Sequence, residues 1–327
     1  MNIFYPIELF ANYLVFDLFA LEKGVHFSDA MYFFTYDVVK IGLLLVVINY
    51  VMAITRYYFP MKKTRDILTK KRWFGLNYLM AAVLGIVTPF CSCSSIPLFI
   101  GFMGAGIPLG ITFAFLISSP LINEASLYLF PAIFGFKVTI LYNVFGLLIA
   151  VLGGMLIQRL KLEKYIVSDF LKFKSRKQVE ADNGGKILSV KKLVLYFWKD
   201  GMKITKKIFP YVLLGVALGA LIHGFVPKGF VEYYLANDSW WTVPAAVILG
   251  VPIYANSVGV LPIMEAMAGK GVPLGTVLAF MTAIVTLSLP EALILKKVMK
   301  WQLLAIFFAI TTTGILIMGY LFNWLLG

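Results

Sequence analysis

The sequence predicts an all-α polytopic membrane protein made of two inverted-topology repeats, each with two plain spans and a pair of broken or re-entrant helices. Three observations carry this. Hydrophobic residues make up 61% of the 327 positions and charged residues only 14%, against about 45–50% and about 25% in a soluble domain; the mean hydropathy is +0.88. Eight apolar segments are long enough to cross or enter a bilayer. The string Gly-x-Gly-[Ile/Val]-Pro-Leu-Gly occurs twice, at 104–110 and 269–275, 165 positions apart. This composition excludes a soluble enzyme, a disordered chain and a disulfide scaffold.

A helix needs about 20 apolar residues to span the hydrocarbon core. Residues 1–30 hold a shorter apolar stretch, 7–20, closed by Glu22-Lys23, which is expected to lie at the interface or re-enter. No basic n-region precedes it and no small-residue cleavage site follows, so no signal peptide is expected. The first repeat, 31–158, contains segments 34–55, 76–103, 107–130 and 138–157. A basic cytoplasmic linker, 159–205, leads to the second repeat, 206–327, with segments 208–226, 243–267, 272–295 and 303–326.

The net charge of +13 would suggest nucleic-acid binding in a soluble protein. Here basic loops facing anionic membrane lipid account for it, and no nucleic-acid partner is expected. The basic residues fall in three clusters: Arg56–Arg72, Arg159–Lys207 and Lys296–Lys300. The positive-inside rule puts all three in the cytoplasm. Three apolar segments separate each cluster from the next, and an odd number of full crossings cannot return to the same side. One segment of each trio must therefore fail to cross, and those interrupted by Pro, Gly and polar residues are the candidates. If each broken pair makes one net crossing, 34–55 enters the cytoplasm and its counterpart 208–226 leaves it, so the halves are oppositely oriented, as in many transporters.

The duplication extends beyond the shared string. Pro97/Pro262, Gly104/Gly269, Gly106/Gly271, Pro108/Pro273, Leu109/Leu274, Gly110/Gly275, Ala114/Ala279 and Phe115/Phe280 are identical at one offset. Cys91-Ser92 stands opposite Asn256-Ser257, and after a shift of two Glu124-Ala125 meets Glu291-Ala292.

Backbone leaves helical geometry at membrane depth only where protein buries it or water lines it. The run Thr88-Pro89-Phe90-Cys91-Ser92-Cys93-Ser94-Ser95-Ile96-Pro97 is a poor helix, as is Pro252-Ile253-Tyr254-Ala255-Asn256-Ser257-Val258-Gly259, followed by Pro262. Ser94 or Ser95 suits an N-cap with Pro97 in the first turn, which would aim free N–H groups at the break. The bland reading is a pair of proline kinks whose Ser and Asn side chains satisfy freed backbone groups. A symmetric pair of polar breaks favours a midplane substrate site over that reading, formed by Cys91, Ser92, Cys93, Ser94, Ser95, Asn256 and Ser257. The second pair of breaks carries Pro120, Asn123 and Glu124 in one half and Pro290 and Glu291 in the other. An intramembrane carboxylate costs about 2.5–3.5 kcal/mol on insertion scales, so Glu124, with Asn123 beside it, and Glu291 are candidates for proton or cation coupling and gating. For Glu291, snorkelling towards Lys296 and Lys297 competes equally.

Cys91 and Cys93 are the chain's two cysteines. A thiolate is stabilised near a helix N-terminus and suits soft, thiophilic ligands, although free Cys also serves as a small buried hydrophobe. Neither of the two histidines is nearby, so no zinc site, other metal or cofactor is expected.

The strings Thr-Pro-Phe-Cys-Ser-Cys-Ser-Ser-Ile-Pro, Gly-Ile-Pro-Leu-Gly and Ser-Ser-Pro-Leu-Ile-Asn-Glu, with the second Gly-Val-Pro-Leu-Gly and Leu-Pro-Glu, resemble the predicted-permease family that includes the ArsP organoarsenical efflux permeases. The resemblance covers essentially the full chain. It implies a multi-pass permease of the bacterial inner membrane. Characterised relatives export trivalent methylated and aromatic arsenicals with cysteine thiols implicated, a role that Cys91 and Cys93 would carry here.

Three function classes follow. The first is a secondary transporter of a small thiophilic solute, such as a trivalent organoarsenical, or of a sulfur-containing anion, and not an enzyme; the absence of a Walker A string argues against ATP hydrolysis by this chain. The second is a transmembrane thiol/disulfide electron carrier with a thioredoxin-like partner, in which Cys91 and Cys93 cycle through a strained disulfide; a symmetric carrier would want a cysteine in each repeat, and the second repeat has Asn256. The third is a channel or structural subunit, including a homo-oligomer. Parity makes a direct prediction: single cysteines replacing Lys71 and Lys174 are both labelled from the cytoplasmic side, and labelling from opposite faces overturns the inverted arrangement.

Overall fold

The computed structural model describes residues 5–22, 25–58, 75–87, 92–123, 125–167, 190–225, 239–253 and 257–326. Their regular structure is helical throughout. Helix α1 (Tyr5–Asn12) runs into a π-helical turn at Tyr13–Leu18 and is followed by α2 (His26–Tyr58). The first repeat continues with α3 (Leu76–Val87), α4 (Ser92–Gly104), α5 (Leu109–Leu121), a π-helical turn (Ala125–Leu129), α6 (Phe130–Ile133) and α7 (Gly135–Arg159). The second comprises α8 (Val190–Phe225), α9 (Thr242–Gly250), α10 (Ser257–Gly269), α11 (Leu274–Thr286), α12 (Leu289–Val298) and α13 (Trp301–Leu326).

Helices α2, α7 and α13 contain apolar stretches of membrane-crossing length, Phe27–Val51, Gly135–Arg159 and Trp301–Leu326. Two further stretches are bent: α5 meets Ala125–Ile133 at 52°, and α11 meets Glu291–Val298 at 46°. Counting each bent pair as one span gives up to five crossings among the described residues. Within the expected span 76–103 the structure describes α3 and, from Ser92, α4, with residues 88–91 outside the described residues. The expected span 208–226 forms the C-terminal part of α8, which begins 18 residues before it, at Val190.

The chain forms two compact units, Met1–Leu44 with Phe209–Ile294 and Thr312–Gly327, and Leu45–Ile208 with Leu295–Thr311. In the second of these, α5 packs against α3, α4 and α7; in the first, α11 packs against α9 and α10. Every residue of α5 is buried, as is nearly all of α11. A helix apolar all round belongs in such a core.

The same local construction recurs in each unit at a constant offset of 165. Helices α4 and α10 are both 13 residues long, as are α5 and α11. Helix α4 ends in a Schellman turn, with Gly106 N–H to Met103 C=O (3.0 Å) and Ile107 N–H to Phe102 C=O (3.1 Å). Helix α10 ends identically through Gly271 to Ala268 (3.1 Å) and Val272 to Met267 (3.1 Å). The turn requires a left-handed residue, supplied by Gly106 at φ +77° and Gly271 at φ +82°. Pro108 and Pro273, both at φ −54°, then open the next helix. The repeated string is thus a helix C-cap followed by a helix start.

Its last glycine has a different task. A Cβ on Gly110 would run into the carbonyl oxygen of Gly154 on α7, and one on Gly275 into that of Gly319 on α13. Gly85 lets α3 approach Ser118 on α5, and Gly250, again 165 positions on, lets α9 approach α11 at Phe280 and Ala283. Such close helix contacts are the main source of packing energy where lipid tails offer no hydrophobic contrast.

Beyond α7 the chain turns through Glu163–Tyr165 and pairs antiparallel with the segment after α12, through an Ile166–Met299 bridge. Val167 donates to Val298 C=O (2.9 Å) and Lys300 to Tyr165 C=O (2.8 Å). These bonds gather Arg159, Lys161 and Lys164 with Lys296, Lys297 and Lys300 at one end of that unit. The close contacts predict that Gly110→Ala and Gly275→Ala each destabilise the protein by about 1–3 kcal/mol. Gly269→Ala, where the added carbon meets nothing within 4 Å, stays within about 0.5 kcal/mol; thermal unfolding in detergent measures the difference.

Candidate functional site

The first pair of breaks precedes α4 and α10. The sequence predicts an N-cap at Ser94 or Ser95, but α4 begins at Ser92, so Ser92, Cys93, Ser94 and Ser95 form its first turn. Their four N–H groups have no intrahelical acceptor. Pro97, the sixth helical residue, has no N–H and leaves the Cys93 carbonyl without its helical donor. Helix α10 repeats this: Ser257 is its first residue and Pro262 its sixth. Each helix therefore carries the partial positive charge of a helix N-terminus at its start. Ser95 is buried. Pro89, Cys91, Glu124 and Asn256 lie outside the described residues.

The second pair of breaks separates α5 from the π-helical turn and α11 from α12. Pro120 lies inside α5 and Pro290 inside α12. Helices α5 and α11 end alike, with Ile122 N–H to Ser118 C=O and Leu287 N–H to Ala283 C=O, both 2.9 Å. The next helical turn then starts from Asn123 and Ser288, through Leu127 N–H to Asn123 C=O and Ala292 N–H to Ser288 C=O, both 3.1 Å. These bonds hold the offset at 165 through the break, and the shift of two that the sequence suggests does not occur. Glu291 is the counterpart of Ser126, and the position opposite Glu124 is Leu289. Aligning the two Glu-Ala pairs misleads because caps, not carboxylates, set the local register.

In the first repeat this break is tightly bonded. Asn123 Oδ1 accepts from the N–H groups of Ala125 (3.0 Å) and Ser126 (3.1 Å), and its Nδ2 donates to Pro120 C=O (3.1 Å). Asn123 N–H donates in return to Ser126 Oγ (3.1 Å), completing a reciprocal capping box. Asn143 on α7 braces the turn, its Nδ2 donating to Ser126 C=O (3.2 Å) and Thr139 C=O (2.8 Å). Tyr142 donates to Leu121 C=O (3.1 Å).

The second repeat has the sequence Ser-x-x-Glu at the matching place, Ser288 to Glu291, but the Ser288 hydroxyl and the Glu291 carboxylate do not form the reciprocal bonds of that box. Glu291 sits in the first turn of α12, only 1% exposed. The positive end of the helix favours a carboxylate at that position. Leu289 N–H, at the start of α12, donates to Val251 C=O (3.2 Å), and Ile253 N–H to Gly250 C=O (3.0 Å). Half-buried Pro252 lies in this turn. One hydrogen bond thus joins the two breaks of the second repeat, bringing Pro252 and Glu291 into one neighbourhood.

Sequence reasoning misses the side chains that cap α5 and α11. Their own caps, Pro108 and Pro273, make no side-chain cap bond. Gln158 on α7 accepts from Gly110 N–H (2.8 Å), and Asn323 on α13 accepts from Thr276 N–H (3.1 Å). Gln158 and Asn323 are 165 positions apart, as are Asn123 and Ser288, so extending the repeat to unlike polar residues would have found them.

Residues 26–324 match the family model ArsP_1, described as a predicted permease. The chain belongs to that predicted permease family. It is thereby a multi-pass membrane protein of a transport family. This permease is also 22% identical to the UPF0718 protein MJ0584 of Methanocaldococcus jannaschii over 285 residues, covering 70% of the permease chain and 78% of the relative. No solved structure matches. The capping box predicts that Asn123→Ala in the permease costs about 1 kcal/mol of thermal stability and that Asn123→Ser restores most of it.

Proposed function

We propose that this permease is a secondary-active transporter of a bacterial cytoplasmic membrane that exports a small thiophilic solute, with trivalent organoarsenicals as the substrate class. The substrate would bind near the bilayer midplane at the paired breaks, Cys91–Ser95 in one repeat and Asn256–Ser257 in the other. The observation that carries this reading is the matched start of α4 and α10, each opening on a serine and each with a proline at its sixth position. Anionic or electron-rich groups favour such helix starts, and half-helices of this kind are the substrate-binding devices of many transporters. Cys93 belongs to the first turn of α4, with Cys91 just before it in sequence, where a thiolate is stabilised and can ligate a soft centre.

The inverted arrangement belongs to the same proposal. Helices α7 and α13 correspond at the 165 offset through Gly154/Gly319 and Gln158/Asn323. Helix α7 arrives at the Ile166–Met299 bridge, and α13 departs from it. Equivalent helices that run in opposite directions from one basic end support a pseudo-twofold axis in the membrane plane. Coupling would come from a proton or cation gradient through Glu291 or Glu124. Glu291 is buried in the first turn of α12.

In an arsenic-sensitive bacterial host, expression of the protein confers resistance to trivalent aromatic arsenicals, and Cys91→Ala or Cys93→Ala abolishes it. Full resistance in the double variant rejects the thiol role. In everted vesicles, Glu291→Gln reduces gradient-driven accumulation at least tenfold, and an unchanged rate rejects coupling at that residue.

A further inference from the structure

The N-terminal half of α8 is a long helical extension ahead of the expected span. It packs antiparallel on the C-terminal end of α2. Phe197 meets Tyr57 edge-on at 5.3 Å, Gly201 lies against the backbone of Asn49, and Asn49 Nδ2 donates to Thr205 Oγ1 (2.9 Å). The flank of α8 beside this contact stays open. Lys191, Val194, Leu195 and Trp198, spaced i, i+3, i+4 and i+7, line an open groove of about 430 Å³ whose other wall is Tyr50. Val194, Leu195 and Trp198 are 49%, 51% and 47% exposed. Around them Lys192, Lys199, Lys203 and Lys206 are also exposed, while Asp200, the single acid of this stretch, is half-buried.

We infer that this groove binds an anionic phospholipid of the cytoplasmic leaflet. Its walls are apolar side chains that suit an acyl chain. One end carries the Lys191 ammonium, within reach of a phosphate, and the other carries an indole and a phenol, the side chains that settle at the headgroup level. Lys191 at the groove and the further exposed lysines along the same helix complement a negative headgroup and discriminate against a zwitterionic one, as juxtamembrane polybasic segments do. The choice of leaflet rests on the proposed topology, whereas the binding itself does not depend on transport.

The test is native mass spectrometry of the full-length protein in detergent, titrated with phosphatidylglycerol or phosphatidylcholine. The wild type retains phosphatidylglycerol preferentially. Lys191→Gln weakens that binding about fivefold, the equivalent of about 1 kcal/mol for one surface lysine, and leaves phosphatidylcholine binding unchanged. Lys191→Arg keeps the preference, Trp198→Ala weakens both lipids, and Lys137→Gln, at an exposed lysine near the start of α7, changes neither. Equal retention of the two lipids by the wild type overturns the inference, as does an unaltered phosphatidylglycerol affinity in Lys191→Gln. A transport failure in the arsenical assay with lipid selectivity intact rejects the export reading alone.

Discussion

Backbone polar groups cannot be left to hydrocarbon, and the structure depends on how this chain meets that constraint where its helices stop. An unbroken span satisfies itself, but this protein interrupts its helices repeatedly, and each interruption needs an external partner. Gln158 and Asn323 supply acceptors to the starts of α5 and α11. Asn123, Ser126 and Asn143 satisfy the break after α5. Val251 accepts from the start of α12. The Schellman turns at Gly106 and Gly271 satisfy the ends of α4 and α10. In each unit the plain helix carries the capping amide for the buried one, so α7 and α13 serve both as spans and as braces.

Close packing follows from the same arrangement. A side-chain amide on α7 can reach the start of α5 only if the two backbones nearly touch, and Gly110 facing Gly154 permits it. Gly275 facing Gly319 does the same in the other unit. Capping and glycine contact are therefore one device built twice. It surrounds α5 and α11 with protein. The two breaks that follow α5 and α11 are not equivalent. One is closed by a neutral network of Asn and Ser, and the other holds a buried carboxylate in the position of Ser126. That difference gives the halves of the proposed transporter distinct parts to play.

Much of this was legible in the chain. The doubled Gly-x-Gly-[Ile/Val]-Pro-Leu-Gly string has a fixed local meaning, because a left-handed C-cap glycine and a helix-starting proline act within a few residues. The second register was misjudged because matching Glu-Ala to Glu-Ala follows residue identity. The backbone bonds equate Asn123 with Ser288 and Ser126 with Glu291, unlike residues at matching positions of a helix start. Gln158 and Asn323 escaped notice because their partners lie 48 and 47 positions away in sequence.

The sequence by itself determined that this is an apolar, helical, duplicated membrane protein with interrupted segments and three basic clusters. Those properties depend on composition and on contacts within one helical turn, where each residue acts through its own torsions and hydropathy. Only the tertiary structure decided that the offset remains 165 throughout, that remote amides cap the buried helices, that one hydrogen bond joins the two breaks of the second repeat, and that the basic residues after α7 and α12 gather at one end. Those depend on helices brought within hydrogen-bonding distance by glycine, and no local signal records which backbones will meet.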